Sequence, residues 1–406
     1  MKLLNSNIDK FWYFLIYTLA LFPILPRGIE SVIMILLFIS SLLLYLLTDK
    51  NKIPKNTRIK VVILSTVFIL YVIGLPYSEN LKEGFKYIIR ALPFLVFPLI
   101  FGIFRKGKLK KTHLERVFYL YVFSLLLGLV FSHIYLAVNN NTNSSWEYRN
   151  AFEALIGVHG TYYSLWIAFG VFILFSKIKK AILVKNIRLT VIIAFVVGYF
   201  IYWQIIIGAR LPLITTILLV TITFLLKIIK KRAVLIGAFL IGSIILGVVI
   251  TKKVATYNFT LPEGNYDIEH KDMTSEQIRT GIYYCAVDLI KNSWIVGYGI
   301  GDVDNKLQNC YKEKIKSDVY QTFNYNSHNQ YLHFLLSNGL IGLLLFLISL
   351  ALPIYISYQT SNSLYMLLSL LLIISLFTEN VLSRHDGILF FSFFSSIFAF
   401  RNNNVF

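Results

Sequence analysis

The stretch YWQIIIGARLPLITTILLV, Tyr202 to Val220, holds a single charge, Arg210, between two apolar runs. Extended outward, over residues 189–207 and 211–226, each run approaches the roughly 20 apolar residues that carry a helix across a bilayer. Gly208-Ala209-Arg210 then reads as a tight turn between two membrane helices. Composition carries this reading to the whole chain. Of 406 residues, 57% are hydrophobic and only 15% charged, with a mean hydropathy of +0.67. A soluble domain carries about 25% charged residues. The sequence therefore predicts an all-α polytopic membrane protein with about 12 transmembrane helices.

The expected spans fall at residues 11–26, 28–48, 61–77, 91–104, 117–137, 157–176, 189–207, 211–226, 233–251, 330–350, 363–378 and 387–400. An even number of spans places both termini on one side. With the N-terminus inside, Lys and Arg concentrate in the inner segments 49–60, 105–116, 177–188 and 227–232. Of the 20 Asp and Glu residues, only Asp9, Asp49 and Glu115 fall inside. The positive-inside rule makes that face, and both termini, cytoplasmic. The net charge of +19 is then a topology signal and a match to anionic lipid head groups, not a nucleic-acid footprint. Membrane lipids are expected partners and nucleic acid is not. Met1 to Lys10 is short and polar, and the apolar run after it lacks a small-residue cleavage site, so no cleaved signal peptide is expected. No internal repeat is visible, which speaks against an inverted-repeat transporter.

The chain divides into residues 1–251 with the first nine helices, a long outer loop at 252–329, and residues 330–406 with the last three. Within the loop, TSEQIRTGIYYCAVDLIKNS (Thr274–Ser293) reads as a helix. Thr274 and Gln277 have the spacing of a capping box, and Ile278, Ile282, Ala286, Leu289 and Ile290 form one apolar stripe. Arg279 flanks that stripe near the helix N-terminus, where a cation opposes the helix dipole. WIVGYGIGD follows, and its glycines Gly297, Gly299 and Gly301 permit tight turns or a close ligand approach. Cys285 and Cys310 both lie in this loop. An oxidising compartment allows them to pair; the alternative is two buried free thiols. They lack the spacing of a zinc site.

The outer face also collects the residues suited to chemistry. Arg210 at the hydrocarbon boundary is a ligand-binding candidate, or an arginine that snorkels to head groups. His328 sits at the start of the tenth span, in NYNSHNQ, and alone would read as a helix-start contact that Ser327 and Asn329 can also supply. Tyr331 lies three residues on, and His333 points away into a packing or polar-contact role. HGTYYS, from His159, enters the sixth span. TENVLSRHDG packs Glu379, Asn380, Arg384, His385 and Asp386 between the last two spans, as a solvated connector or the lining of a polar cleft. Trp146, Glu147, Tyr148 and Arg149 read as interfacial anchors. Together, two arginines, a histidine and a carboxylate suit transfer from a lipid-linked diphosphate. Guanidinium groups bind phosphate through paired, charge-assisted bonds and stabilise charge building on the leaving group, while histidine can take a proton from an acceptor hydroxyl. No His/carboxylate cluster has metal-ligand spacing, so no metal or other cofactor is called for.

The loop followed by SHNQYLHFLLSNGLIGLLLFL resembles the signature region of the O-antigen ligase family, also called the Wzy C-terminal superfamily. The matching features are His328-Asn329, Tyr331-Leu332 and Gly339-Leu340-Ile341-Gly342. Arg210 in a short outer turn, and Arg279 ahead of GYGIG, match two family arginines. HGTYYS is similar to a His-Pro-Thr-Tyr element with Gly160 in place of proline, and TENVLSRHDGILFFSFF is similar to the closing segment. Ser337-Asn338 stand where many members carry an acidic or other strongly polar residue. The resemblance implies metal-independent, inverting glycosyl transfer from an undecaprenyl-diphosphate-linked glycan, on the periplasmic face of a bacterial inner membrane. The implied acceptor is lipid A-core in a ligase, or the growing glycan in an O-antigen or capsule polymerase. By the same resemblance His328 activates or orients the acceptor hydroxyl; the sequence does not settle which group takes the proton, and Glu379 is a second candidate for it. Arg210 and Arg279 bind the diphosphate, with His159, Asn329, Tyr331 and Arg384 in support. A non-enzymatic transporter of lipid-linked glycans is the rival reading.

Overall fold

The structure, a computed structural model, describes residues 2–47, 53–139, 145–228, 261–265 and 273–401. The described chain is helical, with no strand beyond one isolated bridge between Gly264 and Ser317. In order the helices are α1 (Lys2–Leu19), α2 (Arg27–Leu47), α3 (Lys55–Leu64), α4 (Thr66–Gly74), α5 (Leu81–Ala91), α6 (Pro93–Leu99), α7 (Lys111–Asn139), α8 (Ser145–Ile156), α9 (Gly160–Leu183), α10 (Ile187–Ile207), α11 (Arg210–Ile228), α12 (Ser275–Asn292), α13 (Val303–Lys314), α14 (Gln330–Gln359), α15 (Ser363–Ser375) and α16 (His385–Ala399).

Six described segments are long and apolar enough to cross a membrane: Arg27–Leu47, Leu81–Phe104, Lys111–Asn139, Gly160–Ile178, Ile187–Ile207 and Gln330–Gln359. The pair α3–α4, bent by 57° at Ser65, makes a seventh if taken as one span. On their outer surfaces these helices present large apolar side chains. Val191, Ile192 and Phe195 of α10 are each more than half exposed. Water would penalise such a surface, whereas lipid accepts it. The chain is a multi-pass membrane protein.

Every expected span except the ninth has a described helix at its position; residues 233–251 lie outside the described residues. Several details differ from the sequence expectation. The third span is broken rather than straight, and the fourth begins at Leu81, within what reads as an outer loop. The Pro93 and Pro98 rings sit inside that continuous stretch, and a π-helical turn at Ile100–Phe104 follows them. The last two helices, of 13 and 15 residues, are shorter than a bilayer-crossing helix. The final one, α16, is buried on nearly all sides, and its aromatic rings make the centre of the bundle. Phe394 lies 4.7 Å from Phe169 and 5.0 Å from Tyr121, and Phe22 stacks edge-on to Trp166 at 4.8 Å. A helix enclosed by protein does not have to match the bilayer thickness.

The long loop is a built structure. The Thr274–Gln277 capping box forms on α12 in both directions, at 2.7 and 3.3 Å. Cys285 of α12 and Cys310 of α13 are joined by a disulfide with Cα atoms 5.8 Å apart. Ile282, Ala286, Val303, Leu307 and Tyr311 complete a small core there.

That unit is sewn to the bundle through backbone. Helix α14 is interrupted at Gly339, whose φ of 64° and ψ of −165° leave the helical region. The break frees carbonyls, and the glycine-rich loop fills them. Tyr298 N–H donates to Leu336 at 2.7 Å and Gly299 N–H to Ser337 at 3.0 Å, while Leu340 N–H donates to Trp294 at 2.8 Å. Gly297 and Gly339 are glycines because a Cβ would meet the opposing backbone, at 2.6 Å from the Leu336 oxygen and 2.0 Å from the Ile295 oxygen. The close approach is therefore backbone to backbone, not backbone to ligand. Asp302 reaches the α4–α5 turn, accepting from Glu79 N–H at 2.7 Å and Asn80 N–H at 2.9 Å. Asn338 ties the same region to α4 by donating to the Leu70 carbonyl at 2.8 Å. Gly339→Ala combines a strained φ with a backbone clash. It is expected to cost about 3 kcal/mol or more and to lower the thermal midpoint of the detergent-purified protein, whereas Gly198→Ala, with open space around it, leaves the midpoint within a degree or two.

Candidate active site

The polar residues of interest gather at one end of the bundle, around the N-termini of α2, α9, α14 and α16. The organising segment is Asn326 to Gln330. His328 has φ of 41°, one of three non-glycine residues with positive φ among those described. That conformation is uncommon, though histidine tolerates it better than most. Its neighbours hold it there. Asn326 Oδ1 accepts from His328 N–H at 2.9 Å. Asn329 caps α14, its side chain accepting from Tyr331 and Leu332 N–H at 3.0 and 3.1 Å. Gln330 is fully buried and spans to the α15–α16 connection, accepting from Leu382 N–H at 2.8 Å. Its own N–H donates to Leu376 at 2.9 Å. Ser327 hydrogen-bonds the Asn380 amide at 3.1–3.2 Å.

These ties set His328 against Glu379. His328 Nδ1 lies 3.5 Å from Glu379 Oε2, an ion-pair distance. The other carboxylate oxygen, Oε1, lies 3.6 Å from Arg279 Nη2, and the same guanidinium donates to the Thr378 carbonyl at 3.2 Å. Glu379 is 15% exposed. Burial alone would push its carboxyl up, but the adjacent His328, with the charges of His159 and Arg279, outweighs burial and holds it below the usual carboxylate range. The loop helix α12 thus delivers its arginine to a carboxylate of the α15–α16 connection.

His328 and Glu379 face an open cleft. Asn324 and Asn326 line it beside them, as do His159 and Tyr162 at the start of α9. Arg384, His385 and Asp386 come from the α15–α16 connection and the start of α16. Two further cations line it, Arg27 at the start of α2 and Arg90 near the end of α5. Arg27 is held as a fork by Asp386, with Nε and Nη2 at 2.9 and 2.8 Å from its two oxygens. His385 Nε2 is 2.7 Å from Glu30 Oε2, which is itself buried. Sequence reading placed Arg27 and Arg90 on the outer side by topology yet assigned them no role. The signal was available, since each is a lone arginine at the outer end of an apolar run, as Arg210 is.

Other expected residues sit elsewhere. Arg210 begins α11, is 86% exposed and lies 3.6 Å from Glu276 of α12. It does not line the cleft; it joins the site only through α12, where Glu276 is one turn ahead of Arg279. Tyr331 donates to the Ile373 carbonyl at 2.9 Å and packs on Phe377 at 4.6 Å, so it secures the end of α15. His333 is buried among Tyr71, Tyr87 and Phe334, in its expected packing role. Arg149 and Glu153 pair at 2.7 Å, and Glu153 also accepts from Gly160 N–H at 2.8 Å. Arg149 is thus part of the α9 cap rather than a lipid anchor.

Residues 195–347 match the O-antigen ligase family model. The resemblance drawn from the His-Asn segment and its glycines is thereby borne out. The matched region runs from α10 to the middle of α14 and includes Arg210, Arg279 and His328; Glu379, Arg384 and His159 lie outside it. Members of the O-antigen ligase family are glycosyltransferase-like ligases and polymerases that handle lipid-linked glycans. No curated protein matches the chain. Among the described residues, no group of three or more His, Cys, Asp or Glu side chains is placed to hold a metal ion.

The depressed Glu379 carboxyl has a thermodynamic signature. Its contribution to stability is present above the ordinary carboxylate range and is lost as pH falls through its lowered folded-state value. Thermal midpoints measured from pH 7 down to pH 3 are expected to fall for the wild type. In Glu379→Gln the profile is lower at neutral pH and flatter on the acid side; an equally steep acid limb would show that other carboxylates set it.

Proposed function

We propose that the protein transfers a glycan from undecaprenyl diphosphate to an acceptor hydroxyl at the periplasmic face of a bacterial inner membrane, as an O-antigen ligase with lipid A-core as acceptor. The observation that carries this reading is the His328–Glu379–Arg279 chain at the mouth of an open cleft, built on a strained histidine backbone. Strain of this kind persists where the surroundings over-determine it, and it concentrates at working sites.

The geometry suits one reaction. Glu379 beside Nδ1 favours the ring form with its proton on that nitrogen, leaving Nε2 free to accept. His328 Nε2 takes the proton of the acceptor hydroxyl as its oxygen attacks the anomeric carbon. The bond from that carbon to the diphosphate oxygen breaks, and the electron pair leaves with the diphosphate. Attack opposite the leaving group inverts the anomeric centre. The positive ring is met by the Glu379 carboxylate. Arg279 and Arg210, on the α12 side of His328, meet the charge that develops on the diphosphate. The exposed ring of Phe377, adjoining Thr378 and Glu379, gives that side an apolar approach for a polyprenyl chain. Asn329 and Tyr331 act by holding the histidine segment in place, and no step calls for a metal.

Removing a general base slows proton transfer by about 10²–10⁴-fold. His328→Asn keeps a residue that tolerates positive φ and removes the base. It is expected to insert normally, to bind lipid-linked donor and to lose transfer by that factor; full transfer in this variant would discredit the assignment. In cells, a null mutant that accumulates long lipid-linked chains but carries none on lipid A supports a ligase. One repeat unit on the core in place of long chains would instead make the protein a polymerase.

A further inference from the structure

The cleft holds more positive charge than the transfer chemistry uses. Three guanidinium groups line it, from Arg27, Arg90 and Arg384, on three separate elements. Facing them are the carboxylates of Glu379 and Asp386 and the rings of His159, His328 and His385, with Glu30 buried behind His385. These groups are not equally committed. Asp386 is taken by Arg27 through two hydrogen bonds. Glu379 is taken by His328 and Arg279, and Glu30 by His385. Arg90 and Arg384 are left without a carboxylate partner among the described residues. Arg90 is exposed, with its guanidinium 5.6 Å from the centre of the Tyr87 ring. Tyr87 in turn donates to Asp304 of α13 at 2.8 Å.

The site therefore has two cationic sides divided by one carboxylate. Glu379 turns Oε1 to Arg279 and Oε2 to His328. Arg279 and Arg210 stand behind it on the α12 side, outside the cleft lining. Arg90 and Arg384 stand with His328 in the cleft itself. If the α12 side takes the donor diphosphate, the cleft is left for the acceptor. Two uncommitted guanidinium groups there are matched to an anion, because a guanidinium binds phosphate or carboxylate with paired, charge-assisted bonds.

We infer that this cleft is the acceptor subsite and that Arg90 and Arg384 select an acceptor carrying an anionic group, a sugar phosphate or a uronic carboxylate, close to the hydroxyl that is glycosylated. This rests on the transfer reaction proposed above. Both arginines are specificity residues: they touch the acceptor, not the reacting atoms.

The test uses the full-length protein in neutral detergent, which keeps lipid phosphate out of the measurement. Saturation-transfer NMR reads the binding of three probes: N-acetylglucosamine 6-phosphate, glucuronic acid and N-acetylglucosamine. The anionic sugars are expected to bind at least about tenfold more tightly than the neutral one, with whichever of the two binds tighter identifying phosphate or carboxylate as the matched group. Arg90→Gln and Arg384→Gln should each remove about tenfold of that preference, and Arg384→Lys, which keeps the charge without the fork, should restore part of it. Equal binding of all three probes, absence of binding, or variants that weaken neutral and anionic sugars alike would overturn the inference. A transfer assay separates it from the parent reading. With acceptor glycolipid before and after removal of its acidic groups, Arg384→Gln should raise the acceptor KM more on the acidic form than on the stripped form. Transfer that proceeds with no such difference leaves the reaction standing and sinks the anionic subsite. Anion binding that depends on both arginines, in a wild type that transfers to neither acceptor, keeps the subsite and sinks the reaction.

Discussion

The left-handed backbone at His328 is the constraint on which the rest of the site depends. A residue at φ of 41° turns the chain sharply before α14 starts, so the imidazole leaves the helix line and faces Glu379. Strain of this kind costs about 1–3 kcal/mol, and hydrogen bonds on both sides offset it. Asn326 holds the histidine N–H, Asn329 caps the helix, and Gln330 and Ser327 anchor the flanks to the α15–α16 connection. The same bonds fix the connection that carries Glu379 and Arg384 and leads into Asp386 at the start of α16. One short polar segment thus sets the positions of both halves of the site.

The glycine-rich loop does a second piece of positioning. A helix break normally leaves carbonyls without partners. Here the break at Gly339 is filled by N–H groups of the loop, and the loop is thereby held at a fixed distance from α14. Because α12 is joined to α13 by the disulfide and α13 is joined to the α4–α5 turn through Asp302, Arg279 reaches Glu379 from a rigid platform. Ser337 and Asn338 serve this junction as well. Ser337 supplies an accepting carbonyl, and the Asn338 amide reaches α4.

Electrostatically the site is a balance rather than a field. Each carboxylate in or behind the cleft faces a histidine or an arginine, and burial of Glu379 is outweighed by its cationic neighbours. An ionised carboxylate that is shielded from water but fully paired can orient a histidine without being neutralised itself. Arginines beyond that balance are the ones available to a substrate.

Much of this was legible in the residues alone. Apolar length and the sorting of basic and acidic residues disclosed a helical membrane protein, because the bilayer demands internally satisfied backbone over a fixed thickness. The capping box at Thr274 and the His-Asn segment with its glycines were local patterns, readable as such. Tertiary structure decided what local pattern could not. The glycines of GYGIG seat against another backbone, and Arg27 and Arg90 share a cleft with His328 although about 300 and 240 residues separate them from it. Arg210, alike in sequence setting, stands outside the cleft. Short helices such as α16 sit at the centre because packing, not bilayer thickness, sets their length. Sequence spacing reports which residues share one helix face; which faces meet is settled only when all the helices pack at once.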